Sequence, residues 1–231
     1  MPGDATVAAA LGSLASARHG YDVAVRVVPD EPGLYALYGD EPTWSSLGLT
    51  PAFEDQPLYV GKAERTLHGR DVRTHFAAGK SGSSTVRRSL AGLLAAELAL
   101  VPIPRNVAKP DGSANFALDP PSEARLSDWM QQRLSLATWA TLEGGSLDAI
   151  ETVVVRQLRP PLNLAKVAEP RERLRAARKR LADIARAWQP GAAKPDVDRS
   201  TSAPPFLANS RRYGAGCNLF RVRPSDSHAS W

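Results

Sequence analysis

The sequence of 231 residues predicts an α+β fold, because short segments with β-type patterns precede longer segments with helical periodicity. Three short segments read as strands: residues 23–27, 34–38 and 58–61. Three later segments repeat apolar residues at helical spacing: residues 86–98, 147–158 and 170–188. The first group therefore predicts a small sheet, and the second predicts helices that cover it.

Local signals justify the elements of the first half in order. Residues 5–18 are rich in Ala and predict a weakly amphipathic helix. Segments 34–38 and 58–61 are expected to pair as the strands of a wide hairpin. The insert between them, residues 39–57, is rich in Gly and Pro and predicts loop or irregular structure. Residues 66–77 predict a helix that ends before Gly79.

Capping and stop signals justify the elements of the second half. The sequence Ser83-Ser84-Thr85 offers N-cap oxygens to a helix over residues 86–98. Residues 101–121 are rich in Pro and predict a loop, whereas residues 134–138 predict a strand after a short helix. The helix over residues 147–158 begins after Ser146 and is stopped by Pro160-Pro161.

Composition excludes several classes of protein. An apolar content of 43% allows a packed core, and the apolar runs are shorter than the roughly 18 residues that a membrane span requires. The N-terminus lacks a basic region before its Ala-rich stretch, so no signal peptide and a cytoplasmic location are expected. A single cysteine, Cys217, excludes an internal disulfide and a zinc site with several Cys ligands.

Positive charge is concentrated towards the C-terminus. Residues 1–165 contain 15 Lys and Arg against 18 Asp and Glu, whereas residues 166–231 contain 14 against 6. Arginine outnumbers lysine 23 to 6, which suits bidentate contacts with phosphate. The distribution indicates a polyanionic partner, with nucleic acid first, although a solvated charged helix would have the same composition.

Two similar triplets stand out, Gly33-Leu34-Tyr35 and Tyr59-Val60-Gly61, and polar residues follow them at longer range. A Tyr in a strand is more often a packing residue than a catalytic one. Glu151 lies beside apolar Ile150, so its carboxylate must face a cleft, pair with a cation or bind a metal. Together with Arg70 and His75, these residues supply what phosphodiester hydrolysis requires: a carboxylate for a metal ion, a guanidinium for phosphate charge and a proton relay.

In order and content, these motifs resemble the GIY-YIG nuclease family. The triplets are similar to the two family signatures, and the thirteen residues from Glu151 to Asn163 resemble the metal-site helix and the Pro-containing turn after it. The resemblance runs from about Val23 to Leu164. It implies a small three-stranded antiparallel sheet flanked by helices, with the site on one face of the sheet.

The resemblance also implies the role of each catalytic residue. The implied set is Tyr35, Tyr59, Arg70, His75, Glu151 and Asn163. Glu151 would ligate one Mg²⁺ or Mn²⁺, and Tyr35 would orient or deprotonate the attacking water with help from His75. Arg70 would hold the scissile phosphate, Tyr59 would hydrogen-bond in the site, and Asn163 would support the fold beside it.

Two features depart from the family pattern. The family Arg precedes the His or Tyr by four residues, but Asp71 has that position here, and Arg70 lies about 140° around an ideal helix from His75. The catalytic Arg is therefore either Arg70, which we favour, or Arg73. The insert of residues 39–57 is longer than in compact members and is either a DNA-contacting loop that carries Trp44 or a decoration.

The sequence thus predicts a magnesium-dependent endonuclease that acts on DNA. The predicted units are an N-terminal extension (1–20), a catalytic domain (21–168), a basic helix (169–188) and a flexible tail (189–231). Contacts to the DNA backbone are expected from Lys62, Arg73, Arg87, Arg88, Arg171, Arg175 and Arg178. No membrane and no small-molecule cofactor are expected, and the oligomeric state is open. The alternatives are a catalytically inactive nucleic-acid-binding module and a basic protein-interaction domain.

Overall fold

The computed structural model describes residues 3–69, 75–76, 79–107, 115–141 and 146–189. The strands are β1 His19–Gly20, β2 Gly33–Gly39, β3 Tyr59–Ala63, β4 Pro102–Ile103, β5 Ala117–Leu118 and β6 Leu134–Ala140. The helices are α1 Asp4–Ala15, α2 Tyr21–Val27, α3 Glu41–Ser46, α4 Thr85–Leu94, α5 Pro120–Arg133, α6 Leu147–Leu158 and α7 Glu172–Arg186. Strands and helices are thus mixed, and the α+β prediction is confirmed.

The main sheet is antiparallel and has the strand order β1-β6-β2-β3. The predicted pairing of the two triplet strands is confirmed, since Tyr35 lies opposite Gly61 in the ladder between β2 and β3. Three strands were expected, and the short strand β1 adds a fourth at the β6 edge. Strands β4 and β5 form a separate pair within the segment predicted as a loop.

Helices cover both faces of this sheet. Because successive side chains in a strand point to opposite faces, Tyr35 and Leu37 pack into one core with residues of α4, α5 and α7. Leu34 and Ala36 pack into a second core with residues of α1 and α6. Strand β2 is therefore buried along nearly its whole length, and its side chains are held firmly in place.

The strand predicted for residues 23–27 is wrong, because this segment belongs to helix α2. The valines of the alternating pattern, Val23, Val25 and Val27, are all exposed. Ala24 and Val28 are buried in the core, four residues apart, which is the spacing of a helix face. In a segment this short, the alternation of valines was a weaker signal than the four-residue spacing of Ala24 and Val28.

The insert of residues 39–57 is more ordered than predicted. Asp40 caps α3 by accepting a hydrogen bond from the Thr43 backbone N–H at 3.0 Å. Trp44 of this helix is only 6% exposed and packs into the core. The interpretation that Trp44 is displayed to DNA is therefore wrong, because its ring stabilises the fold.

The predicted caps of the two central helices are confirmed. Ser84 Oγ accepts a hydrogen bond from the Arg87 N–H at 3.2 Å, and Ser146 Oγ accepts one from the Ala149 N–H at 3.3 Å. No helix in the described part of the chain is both long and apolar enough to cross a membrane. Half of the predicted 66–77 helix, including Arg70 and Arg73, and nearly all of the predicted 189–231 tail lie outside the described residues.

Candidate active site

The two triplet glycines allow the strands to pack closely around Tyr35. A Cβ atom added at Gly61 would overlap Tyr35 Oη and lie 2.5 Å from its Cζ, because the tyrosine ring crosses over this glycine. A Cβ atom at Gly33 would collide with the backbone carbonyl of Trp139 on the neighbouring strand β6. Each glycine is thus required by a close approach, and the one at position 61 fixes where Tyr35 lies.

Tyr35 begins a buried chain of hydrogen bonds. Its Oη lies 2.5 Å from His75 Nε2, and His75 Nδ1 lies 2.8 Å from Ser84 Oγ. Tyr35 and His75 are each only 1% exposed. The imidazole can take the tyrosine proton at Nε2 if Nδ1–H donates to Ser84, or donate from Nε2–H in the other tautomer. The structure thus brings Tyr35 and His75 into contact, and Ser84 extends the chain.

Asn163 ties the turn after α6 to strand β3. Its Oδ1 accepts a hydrogen bond from the Val60 N–H at 3.0 Å, and its Nδ2 donates to the Val60 carbonyl at 2.8 Å. Both hydrogen bonds are made with the backbone of Val60, the residue next to Tyr59. Asn163 is buried and lies outside the cavity described below, as expected of a supporting residue.

Glu151 is held on α6 at the edge of the sheet. Its side chain is 11% exposed, and its Oε2 lies 2.5 Å from Lys166 Nζ. Lys166 Nζ also lies 2.8 Å from Asp148 Oδ1, and Lys62 Nζ lies 3.0 Å from the same oxygen. Hydrogen bonds from Lys166 and Lys62 lower the pKa of Asp148 to about 2. The pKa of Lys62 is raised by its hydrogen bonds to Glu64 and Asp148.

An open cavity of about 680 Å³ joins these groups. It is lined by Tyr35, Tyr59, Lys62, Ala63, Glu64, Arg65, Thr66, Gly69 and Glu151. The rings of Tyr35 and Tyr59 lie side by side there, with centroids 6.1 Å apart. Two tyrosines from adjacent strands and a carboxylate from α6, distant in sequence, thus face one space.

The carboxylate in this cavity fits a hard divalent cation. Glu151 supplies an oxygen ligand, which Mg²⁺ and Mn²⁺ prefer, and the cavity leaves room for the waters that Mg²⁺ retains. Within the described residues, no cluster of three or more His, Cys, Asp or Glu could hold a metal ion. A site among these residues would therefore have fewer than three such ligands, and the cavity offers the carboxylates of Glu64 and Glu151.

The expected DNA contact from Arg87 is wrong. This side chain is fully buried, with Nη2 2.6 Å from Glu123 Oε2 and Nη1 2.8 Å from the carbonyl of His75. Burial lowers the pKa of Arg87, and the charge of Glu123 opposes that effect. A guanidinium enclosed in this way stabilises the fold and anchors the backbone of His75; it has no surface to offer a phosphate.

Arg88, the next residue, is also mostly buried but less completely bonded. Its Nη1 donates to the carbonyls of Ser81 and Gly82 at 3.1 and 2.8 Å, whereas its Nε has no hydrogen-bond partner among the described residues. Burial, followed by the charges of Arg178 and Arg105, lowers the pKa of Arg88 to about 10. Arg88 therefore adjoins a cluster of like charges.

Helix α7 contributes the other predicted basic residues. It passes so close to α4 that a Cβ atom at Gly92 would lie 3.3 Å from the Arg178 backbone N. Burial lowers the pKa of Arg178, and the nearby Tyr59 opposes that effect. Arg171 Nη2 donates to the Arg159 carbonyl, and the exposed Arg175 donates to the Leu164 carbonyl.

Lys166 is the functional candidate that sequence reasoning missed. It lies three residues beyond Asn163, and its Nζ contacts the carboxylate of Glu151. A lysine fifteen residues after a glutamate carries no local signal in a sequence. The positions of Arg70 and Arg73 lie outside the described residues, so the choice between them stays a prediction.

Comparison with known protein families agrees with this geometry. The model of the GIY-YIG catalytic domain matches residues 51–180, more than half of the chain, and the match includes Tyr59, Glu151 and Asn163. The first triplet precedes the match, but pairing of β2 with β3 joins Tyr35 to it. No curated protein and no solved structure matches the chain. The matched range and the two paired triplets together establish that the chain belongs to the GIY-YIG family.

Proposed function

We propose that this protein is a metal-dependent endonuclease that hydrolyses phosphodiester bonds of DNA. Membership of the GIY-YIG family indicates a nuclease-type function. The observation that carries the proposal is the shared cavity, in which Tyr35, Tyr59, Lys62 and Glu151 face one another. Such a set combines a proton acceptor, a cation and a metal-ligating carboxylate around a single space.

Tyr35 is the proposed general base. With Nδ1–H of His75 donated to Ser84 Oγ, Nε2 accepts the Tyr35 proton, and the phenolic oxygen then removes a proton from the attacking water. The 2.5 Å separation of Tyr35 Oη and His75 Nε2 supports direct transfer between them. Ser84 holds the imidazole in position, and the hydrogen bond from Arg87 holds the backbone carbonyl of His75.

Glu151 is the proposed ligand of Mg²⁺ or Mn²⁺. When bound, the ion would polarise the phosphate and stabilise charge on the leaving oxygen. Lys62, on β3 at the mouth of the cavity, is proposed to contact a nonbridging phosphate oxygen, and Tyr59 to hydrogen-bond in the site. Asn163 keeps β3 in register with the turn after α6, and Arg70 or Arg73 is proposed to neutralise charge on the scissile phosphate.

The proposed DNA-backbone contacts lie on the α4–α7 side of Tyr59. Arg88 and Arg178 each have a buried N–H without a hydrogen-bond partner among the described residues, at Nε and Nη1 respectively. These two cations lie beside Tyr59 and are proposed to attract the DNA backbone through their positive charge. Arg171 and Arg175 extend the same basic face, and contacts of this kind supply affinity without sequence preference.

Cleavage of supercoiled plasmid tests the proposal. The wild-type protein is expected to nick or linearise the plasmid with Mg²⁺ and to be inactive with EDTA. Glu151→Gln should lower the rate by about 10²–10³-fold, a loss comparable to removal of a major transition-state contact. Glu97→Gln, the same change at an exposed position of the chain, is the matched control and should cleave at the wild-type rate. Full activity of Glu151→Gln would contradict the proposal.

The same experiment separates the alternatives. Binding to DNA without cleavage, over duplex, nicked, flapped and branched substrates and several metals, would identify a nucleic-acid-binding module. Binding with a weak salt dependence and no preference over other polyanions would instead favour a protein-interaction domain. The ratio of nicked to linear product also bears on whether one site or two act in each encounter.

A further inference from the structure

Lys166 reaches Glu151 from an unusual backbone conformation. Its φ angle of 64° lies in the left-handed region, which residues other than Gly, Asn and Asp rarely adopt. Such conformations persist where the surrounding structure imposes them, and they are found most often at functional sites. The turn that Asn163 anchors on Val60 precedes Lys166 by three residues and directs the chain back over α6.

The ammonium group of Lys166 contacts three acceptor oxygens on α6. Nζ lies 2.5 Å from Glu151 Oε2, 2.8 Å from Asp148 Oδ1 and 3.2 Å from the Asp148 carbonyl oxygen. These three acceptors match the three N–H groups of a lysine. The side chain is only 22% exposed, so the pair with Glu151 is partly shielded from water.

We propose that Lys166 is the resident counter-ion of Glu151 and competes with a divalent cation for its carboxylate, so that Lys166 sets the metal affinity of the free protein. The inference rests on the proposed function in taking Glu151 as the metal ligand. An ammonium within hydrogen-bonding distance of Oε2 occupies space beside the oxygen that a metal ion needs. A metal ion that binds through Oε2 must therefore break this contact.

Asp148 gives the displaced lysine an alternative partner. Because Lys166 already contacts two oxygens of Asp148, it can give up Glu151 and keep both of those bonds. Lys62 shares Asp148 Oδ1 at 3.0 Å but pairs otherwise with Glu64, not with Glu151. Of these two lysines, Lys166 contacts the proposed ligand and Lys62 does not.

Titration of the purified protein with MnCl₂ in the absence of DNA tests the competition. The readouts are calorimetry and the electron paramagnetic resonance signal of free Mn²⁺. Lys166→Met is expected to lower the Mn²⁺ dissociation constant about tenfold, since it removes a close charged competitor. Lys166→Arg keeps the charge and should stay within about twofold of the wild type. Lys166→Gly, which suits the left-handed backbone, should bind like Lys166→Met and serves if that variant folds poorly.

Two further variants make the result specific. Lys62→Met removes an ammonium from the same network without touching Glu151 and should change affinity less than Lys166→Met does. Glu151→Gln in the Lys166→Met background should abolish the gain. Unchanged or weaker Mn²⁺ binding by both Lys166→Met and Lys166→Gly would overturn the inference, as would a gain that persists without Glu151.

Failure of this inference is distinguishable from failure of the proposed function. A protein that cleaves plasmid through Glu151, but whose Mn²⁺ affinity is indifferent to Lys166, refutes the competition alone. A protein without Glu151-dependent cleavage refutes the nuclease proposal. In that case the titration still decides whether Lys166 and Mn²⁺ compete for Glu151.

Discussion

The candidate site has two sides that differ in chemistry, and each contributes part of the cavity lining: Tyr35 from the first, and Lys62, Glu64 and Glu151 from the second. The tyrosine side comprises Tyr35, His75 and Ser84, which are buried and linked by hydrogen bonds of 2.5 and 2.8 Å. The lysine–carboxylate side is a chain of ion pairs, partly exposed to water, and comprises Glu64, Lys62, Asp148, Lys166 and Glu151. The tyrosine side is formed around β2 and the start of α4. The lysine–carboxylate side is formed by residues of β3, α6 and the segment that follows α6.

This difference predicts how each side should respond to substitution and to salt. Hydrogen bonds in a buried site depend on geometry and are little affected by salt. Exposed ion pairs are screened by salt and contribute little to stability, but they tolerate small displacements. Substitutions on the tyrosine side should therefore change the cleavage rate strongly at any ionic strength. Substitutions of the exposed residues on the lysine–carboxylate side should have small effects on stability, and these effects should depend on salt and pH.

The largest effect is expected for Tyr35→Phe. This change removes the hydroxyl group and nothing else, so the cavity keeps its shape while the relay loses its first member. Loss of a general base typically lowers a rate about 10²–10⁴-fold, and we expect plasmid cleavage to fall within that range. Initial rates at low and high NaCl should show the same proportional loss.

Tyr38→Phe is the matched control on the same strand. Its hydroxyl points to the opposite face of the sheet and donates to the Leu14 carbonyl at 2.7 Å. Removal of that bond should cost about 0.5–1.5 kcal/mol of unfolding free energy and leave cleavage unchanged. If Tyr35→Phe cleaves as fast as Tyr38→Phe, the tyrosine side has no part in proton transfer.

A smaller loss is expected for Gly61→Ala. The added methyl group would collide with the Tyr35 ring, which must then move away from His75. We expect destabilisation of about 1–3 kcal/mol from overpacking, together with a slower reaction. Gly12→Ala, in α1 with no atom within 4 Å of the added carbon, should instead stabilise the protein by about 0.5–1 kcal/mol. Thermal unfolding measures the stability of the two variants, and plasmid cleavage measures their activity. Equal stability of the two variants would contradict the close approach of the Tyr35 ring to Gly61.

The sequence predicted those parts of the site that rest on local patterns. The glycines of both triplets, the Ser84 cap and the Glu151–Asn163 stretch have signals confined to a few neighbouring residues. The structure confirms the strand pairing that joins the triplets and brings Tyr35, Tyr59 and Glu151 to one cavity. Local rules were sufficient for the caps and the strand pairing, whereas the meeting of distant residues at one site was implied by the family resemblance.

Other features depend on partners that are distant in sequence. Arg87 and Arg88 are adjacent and looked alike, but Arg87 meets Glu123 of α5, whereas Arg88 faces Arg178 of α7. No spacing rule distinguishes them, because the difference arises from which helix packs over each one. Lys166 was missed for the same reason: its contact with Glu151 follows a turn that Asn163 ties to β3.

The smallest effect is expected for Asp148→Asn, in the middle of the lysine–carboxylate side, where the Asp148 side chain is 62% exposed. Pairing with Lys166 and Lys62 lowers its pKa to about 2 in the folded protein, against about 4 in an unfolded chain. A carboxyl whose pKa is lowered on folding stabilises the protein above the unfolded pKa, and this contribution is lost as the pH falls through the folded one. The difference in melting temperature between wild type and Asp148→Asn should therefore be largest above about pH 4 and shrink towards pH 2.

The salt dependence of the melting temperature is a second test of the same variant. Because the pair is exposed, the difference between wild type and Asp148→Asn at pH 6 should decrease when NaCl is raised from low concentration to about 1 M. Asp128→Asn removes an exposed carboxylate on α5 and controls for the change in net charge. A difference that is independent of both pH and salt would mean that Asp148 acts by its shape, and the distinction between the two sides of the candidate site would then be wrong at this residue.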